Sequence, residues 1–434
     1  MPTNKQQVYL PRVVDRELGL RLRAVGATYI VGPKWCGKTT TAKQQARSVL
    51  ELQDPDLQTG YLQLARTQPS LLLRGDNPRL IDEWQLAPSL WDAVRVSVDR
   101  ANEKGLYILT GSVIVDGDDF KHSGTGRISR LTMTSMSLFE SLESSGQVSL
   151  ASLFDNPSRH LDGERGKLSI EELIFAVCRG GWPSSLSARG DDAKLFVAQD
   201  YLNQITEVDI ARVDGVKRDP TIAAALLKSY ARNLSTLATN VTIRKDILST
   251  REITLPTLDN YLAALRKLFV VEDLPAWCPS IRSATDMRVS KKREFCDPSI
   301  AVAALGVKPE YFLKDFKTFG FLFENLVIRD LKVYSLAVGG QLSYYRDRYG
   351  LEADAVLHLQ DGRYALIEIK LGSADIEEGA MHLLEIVRLI KKHNQMETQC
   401  PLRLPDLLMV VTGGEMAYTR PDGVHVVPIS TLRP

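Results

Sequence analysis

The chain has 434 residues, 44 % of them hydrophobic, which is room for about three domains with sizeable cores. Fifty-four Lys and Arg stand against 53 Asp and Glu, leaving a net charge of +1. That balance excludes a global basic field of the kind nucleic-acid binders advertise, so any such surface must be local.

Residues 1–22 read as an opening helix, and alternating strand and helix patterns from Ala27 to Leu138 predict a parallel, doubly wound core. Ala27 to Val31 is a short β-branched strand. It runs into Gly32-Pro33-Lys34-Trp35-Cys36-Gly37-Lys38-Thr39, which has the spacing of a Walker A loop, and Thr40 continues the same cradle into a helix-forming stretch that ends near Ala46. Gly32 and Gly37 let the backbone turn its N–H groups toward phosphate oxygens, and the helix start adds the positive end of its dipole. Lys38 would neutralise the β- and γ-phosphates of ATP and the Thr39 hydroxyl would hold Mg²⁺. A thiol at Cys36, inside the loop, would let alkylation block the nucleotide.

Leu80-Ile81-Asp82-Glu83 supplies the acids that phosphoryl transfer needs, with Asp82 as a metal ligand through water and Glu83 polarising the attacking water. Leu106 to Ser112 reads as a buried parallel strand ending in small polar residues, where Thr110 or Ser112 would sense the γ-phosphate. Gly126-Arg127-Ile128-Ser129-Arg130-Leu131 opens the next strand. Arg127 is the candidate arginine finger acting on a neighbouring subunit, with Arg130 second, and it implies a homo-oligomer.

Loops around Ser144-Ser145-Gly146 and Asn156 to Gly166 lead to helices from Ile170 to about Leu265. Within them, residues 234–238, 243–247 and 254–262 followed by a strand at 268–274 suit a winged helix-turn-helix. In that arrangement Thr254 caps a recognition helix, and Thr257, Asn260, Arg266 and Lys267 approach DNA. The alternative is a small helical packing domain, because that helix carries few cations. Arg288 to Arg293 is the densest basic run, a phosphate contact or a solvated loop.

An α/β pattern returns from about Tyr311. Leu351 to Leu359 alternates as a strand, Asp361-Gly362 turns, and Tyr364 to Lys370 forms the partner, while residues 408–414 give a late strand. Alternation puts Glu352 and Asp354 on one face and Glu368 and Lys370 on one face of the partner. Two carboxylates and a lysine across a hairpin can hold a divalent metal and polarise a phosphate.

The Walker residues, together with Tyr9-Leu10-Pro11-Arg12, Ile81 to Gln85, Leu109 to Ser112, Gly126-Arg127 and Arg179-Gly180-Gly181-Trp182-Pro183, resemble a prokaryotic AAA-type ATP-binding family whose C-terminal domain is restriction-endonuclease-like. The hairpin looks like a PD-(D/E)xK site, with Asp354, Glu368 and Lys370 matching its acid, acid and lysine and Glu324 matching the helical acid some members add. No proline precedes Asp354, a departure from the pattern.

The resulting expectation is α/β: an AAA-type P-loop core at 1–140, a linker and helical lid at 141–190, a helical region with a winged helix at 191–305, and a restriction-endonuclease-like domain at 306–434. The expected cofactors are ATP and Mg²⁺, with a second Mg²⁺ or Mn²⁺ at Glu324, Asp354 and Glu368. DNA is an expected partner of the middle and C-terminal domains, and the alternative is a nucleotide-switched scaffold with an inactive nuclease-like domain. Cys36, Cys178, Cys278, Cys296 and Cys400 are scattered with no CxxC spacing, which argues against a disulfide framework and a zinc site. Residues 1–7 lack an apolar signal core and no stretch approaches the roughly 20 apolar residues of a membrane span, so a cytoplasmic protein is expected.

Overall fold

A computed structural model describes residues 9–113, 124–248, 251–279, 290–397, 399 and 401–434. Met1 to Gln7, Arg288, Val289 and Cys400 lie outside the described residues. The chain divides into two compact units, residues 1–135 with 267–269, and residues 136–266 with 270–434.

The first unit is built on a parallel five-stranded sheet in the order β2-β3-β4-β1-β5. Its elements are α1 (Val14–Ala24), β1 (Ala27–Val31), α2 (Lys38–Lys43), β2 (Ser48–Glu51), α3 (Gln58–Thr67), β3 (Arg79–Asp82), α4 (Ser89–Ala101), β4 (Tyr107–Gly111) and β5 (Ile128–Thr132). Strand alternation feeds two separate cores, so the sheet is covered on both faces, as a parallel sheet must be. Tyr29, Val31, Ile81 and Leu109 pack with Trp84, Trp91 and Val94 on one face. Ile30, Leu80, Ile108 and Leu131 meet Val14, Leu18 and Leu22 on the other, where the four-residue spacing in α1 sets one apolar stripe against the sheet. Burying each such Leu or Ile contributes about 1.5–3 kcal/mol. Crossovers in this order leave the ends of β1, β3 and β4 side by side, with β4 hydrogen-bonded between the two strands that carry the nucleotide motifs.

The second unit begins with β6 (Val148–Ser149), α5 (Leu150–Asp155), β7 (Asp162–Arg165), α6 (Ile170–Arg179) and α7 (Pro183–Ser187). The stretch expected to be linker and lid therefore contributes strands. β7 pairs with β12 (Met416–Thr419) and β6 with β14 (Leu432–Arg433). These strands are short and β7 is polar, so only their partners reveal them. The middle helices are α8 (Asp191–Gln204), α9 (Ile210–Arg212), α10 (Pro220–Arg232), α11 (Asn240–Leu248), α12 (Leu255–Lys267), α13 (Pro298–Leu305) and α14 (Pro309–Phe312).

The C-terminal part runs α15 (Phe316–Val338), β8 (Gly340–Arg346), β9 (Glu352–Leu359), β10 (Tyr364–Lys370), α16 (Ile376–Met396), β11 (Leu407–Thr412), β12 and β13 (His425–Pro428). Its seven-stranded sheet has the order β7-β12-β13-β11-β10-β9-β8, antiparallel from β8 to β10 and parallel between β10 and β11. Ile376, Ala380, Leu383, Ile386 and Ile390 form the stripe of α16 that packs on Val356, Leu366 and Val410. Among the described residues no helix is long and apolar enough to cross a membrane.

Arg179-Gly180-Gly181-Trp182-Pro183 is a structural joint. A Cβ on Gly181 would meet the Met136 carbonyl oxygen at 2.0 Å, and the Gly181 N–H donates to Asp297 at 3.0 Å. Asp297 also accepts from Arg329, itself bound to Asp330, so buried charges are paired at every side.

Candidate functional site

The loop after β1 is shaped by backbone constraints at its two glycines. A Cβ at Gly32 would lie 1.9 Å from the Met133 carbonyl oxygen, and Gly37 has φ of 99°, a left-handed conformation that glycine adopts without strain. Lys38 is buried and donates to the carbonyls of Gly32 at 3.0 Å and Pro33 at 2.7 Å. The Thr39 hydroxyl donates to Asp82 Oδ1 at 2.7 Å, and the Thr110 hydroxyl donates to the same oxygen at 2.5 Å. Glu83 has a left-handed backbone with φ of 53°, and its N–H donates to Thr110 Oγ1 at 3.2 Å. Its carboxylate accepts from Ser112 Oγ at 3.1 Å and from the Gln85 amide. The structure thus gathers Lys38, Thr39, Asp82, Glu83, Thr110 and Ser112 at the C-terminal ends of β1, β3 and β4, where an open parallel sheet offers its crevice. A hydroxyl and a carboxylate oxygen in contact are hard donors that fit Mg²⁺.

Other residues fall elsewhere. Arg127 precedes β5 at the opposite edge of the sheet, where its carbonyl accepts from Ala27 N–H and its guanidinium pairs with Asp99 at 2.7 Å. It does not join the cluster on its own chain, and Arg130, exposed on β5, does not either. Cys36 is buried among Val14, Leu18 and Ala42, which removes it from reagents and corrects the expectation that its alkylation would block the loop. Trp35 is 43 % exposed with φ of 64°. Lys34 and Thr40 lie along the loop and the start of α2.

Three contributors escaped the sequence reading. Arg12 donates to the Cys36 carbonyl at 2.8 Å and to the Thr134 carbonyl at 2.9 Å, bracing the phosphate loop from behind. Tyr9 donates to Asp15 at 2.7 Å and lies 3.1 Å from the Thr41 hydroxyl, and burial pushes its phenol up. Gln85 holds Glu83. The only sequence signal for them was their place in short motifs, which carry no chemistry of their own.

The hairpin acids are arranged differently. Glu324 on α15 and Glu352 and Asp354 on β9 converge on the ammonium of Lys292, at 2.5, 3.0 and 3.1 Å. The Lys292 side chain is 3 % exposed. Burial disfavours its charge, but Glu324, Asp354 and Glu352 outweigh that and raise its pKa well above the ordinary lysine value. Asp354 Oδ2 accepts from the Ile369 N–H at 2.9 Å. Against burial, Lys292, Lys370 and that N–H hold Asp354 below the usual carboxylate range. Glu368 pairs with Lys370 at 2.9 Å, and burial, then the charge of Asp354, pushes its pKa to about 8. Among the described residues no group of three or more His, Cys, Asp or Glu side chains is disposed to hold a metal ion. The residues do not fit the expected second divalent ion, because an ammonium stands where three of the acids meet.

This corrects the basic run as well. Of its described members Ser290 and Lys291 are exposed, as a solvated loop would have them, whereas Lys292 and Arg293 are buried, since each has found carboxylates or carbonyls inside the fold. The proposed reading helix α12 has its Thr254 cap, yet Asn260 accepts from Arg218 at 3.0 Å and Arg266 pairs with Asp273 at 2.8 Å. The expected wing is two isolated bridges, Val271 with Phe295 and Leu274 with Lys292.

Residues 25–142 match the AAA domain family. The first domain is of the AAA type, a P-loop nucleotide-binding domain. Residues 170–311 and 319–432 match two domains of unknown function, DUF8612 and DUF4143. Two mycobacterial proteins, uncharacterized protein Rv2008c of Mycobacterium tuberculosis and uncharacterized protein Mb2031c of Mycobacterium bovis, are each 26 % identical over 405 residues, 93 % of this chain and 80 % of theirs. Among solved structures, the Walker-type ATPase PABY2304 of Pyrococcus abyssi aligns at 13 % identity with a TM-score of 0.41, covering 70 % of this chain and 98 % of that one. A signal-transduction ATPase with a tetratricopeptide repeat sensor from Pyrococcus horikoshii aligns at 15 % identity and a TM-score of 0.25, covering 77 % and 49 %. The AAA assignment rests on the family match and the P-loop geometry, not on these distant alignments.

Proposed function

We propose that the chain is a Mg²⁺-dependent ATPase that uses hydrolysis in its AAA domain to switch a nuclease-like C-terminal domain serving as a scaffold. The observation that supports the first half is the shared contact of Thr39 and Thr110 on Asp82 beside Glu83. In this reading Lys38 exchanges its bonds to two loop carbonyls for phosphate oxygens, and Thr39 and Asp82 hold Mg²⁺, which neutralises phosphate charge when bound. Glu83, steadied by Ser112 and Gln85, takes the proton of the attacking water. Arg127, turned away from its own loop, is assigned to a neighbouring subunit's nucleotide.

For the second half, the order α15-β8-β9-β10-α16-β11 with acids on β9 and β10 supports a restriction-endonuclease-like fold. Lys292 among the acids favours the scaffold over a DNA-cleaving enzyme. The ATPase half is tested with two variants. Lys38→Ala is expected to lose ATP binding, whereas Glu83→Gln keeps it and loses about 10²–10⁴-fold in turnover. Unchanged hydrolysis in Glu83→Gln would remove Glu83 from its role.

A further inference from the structure

We infer that Lys292 is the resident cation of the C-terminal acid cluster, so that this site is closed to divalent metal for as long as that side chain stays in place. The inference rests on the nuclease-like reading of the C-terminal domain and is independent of the ATPase reading.

The ammonium is within 3.1 Å of carboxylates from two elements, α15 and β9, and lies 6.0 Å from the centre of the Tyr344 ring on β8. Three donors facing three carboxylates use the full directional capacity of a lysine. Its backbone is fixed as well. Lys292 N–H donates to the Leu274 carbonyl and Leu274 N–H donates to the Lys292 carbonyl, each at 2.9 Å. On either side, the Ser290 carbonyl accepts from the Tyr344 hydroxyl, and Arg293 donates to the Ala238 carbonyl at 2.8 Å and to Asn240 at 2.7 Å. A side chain anchored this way is a built part of the cluster.

Mg²⁺ takes oxygen ligands at about 2.0–2.1 Å. A divalent ion drawing on Asp354 and Glu324 would sit beside a buried ammonium that already holds the same oxygens, and two cations at that spacing repel strongly where water is scarce. Lys370 cannot relieve this, since it is tied to Glu368 on its own strand, β10. Metal-assisted chemistry on a phosphodiester would therefore require Lys292 to withdraw first.

The test is Mn²⁺ titration of the full chain without nucleotide, read as loss of the free-ion paramagnetic resonance signal. Wild type is expected to show no binding that depends on Asp354, so its titration and that of Asp354→Asn superimpose into the millimolar range. Lys292→Ala is expected to acquire one Mn²⁺ per chain, about tenfold or more tighter than any residual binding in wild type, and to lose it again when Asp354→Asn is added. Lys292→Met, which keeps most of the stem, serves if the alanine variant does not fold, and the wild-type comparison with Asp354→Asn stands without either. Mn²⁺ bound by wild type and lost in Asp354→Asn would overturn the inference. So would a folded Lys292→Ala or Lys292→Met chain that gains no ion. ATP turnover, read separately in the AAA domain, reports on the other half of the proposal and is decided by neither result.

Discussion

The two sites of this chain use the same residue types to opposite ends. In the AAA domain, Lys38 rests on two neutral carbonyls of its own loop while Asp82 accepts from hydroxyls. In the C-terminal domain, Lys292 rests on three carboxylates. A lysine on neutral acceptors keeps most of its charge available to an arriving anion, and acids on neutral donors keep theirs available to an arriving cation. Once lysine and acids have each other, both are spent. Partner charge, more than residue identity, separates a site that recruits from one that is sealed.

Breaking the sealed site is expected to have the largest effect on stability. Lys292→Met removes the cation that Glu324, Glu352 and Asp354 share, leaving Glu352 only its Arg346 pair at 3.1 Å and Asp354 only the Ile369 N–H and the field of Lys370. Losing one partner of a buried ionic cluster costs about 3–5 kcal/mol. Lys370 has a single carboxylate partner and its side chain is 22 % exposed against 3 % for Lys292, so Lys370→Met is expected to cost clearly less in the same denaturant titration. Equal costs would remove the distinction between the two lysines.

A pH-dependent effect follows from Glu368, whose pKa rises from an ordinary 4.5 to about 8 on folding, chiefly through burial. Between those values the folded chain binds more protons than the unfolded one, so this group's contribution to stability is complete below the lower value and is lost as pH rises through the upper one. Unfolding free energy of wild type should therefore decline across that window relative to Glu368→Gln, and parallel pH profiles would contradict it. The smallest expected signal concerns Arg127. Mixing Arg127→Ala with Glu83→Gln should restore part of the turnover that each lacks, because one subunit's arginine completes its neighbour's site. A monomeric, concentration-independent ATPase would exclude that role.

The AAA site was legible because its chemistry is local in sequence. Gly32 to Thr39 must be contiguous to wrap phosphate, Asp82 and Glu83 are adjacent, and Thr110 ends a recognisable buried strand. The hairpin was legible for the same reason, since period-two alternation fixes which face Asp354 and Glu368 share. What occupies that face was not legible. Lys292 comes from a segment held to its neighbours by isolated bridges and not by a regular strand, and in sequence it is one member of a basic run, where a solvated loop is the ordinary outcome. Arg12 was hidden in the same way, its guanidinium spanning 24 and 122 residues to reach two carbonyls. Long-range pairing of a charge leaves no periodic trace. Nor do the short strands β6 and β7, whose register is set by partners more than 250 residues away.

The most direct measurement of the central contrast is the Mn²⁺ stoichiometry of the full wild-type chain, taken once without nucleotide and once with a non-hydrolysable ATP analogue. The account predicts no Asp354-dependent ion in the first titration and one bound ion in the second, lost in Asp82→Asn and retained in Asp354→Asn. An ion bound without nucleotide and lost in Asp354→Asn would contradict it.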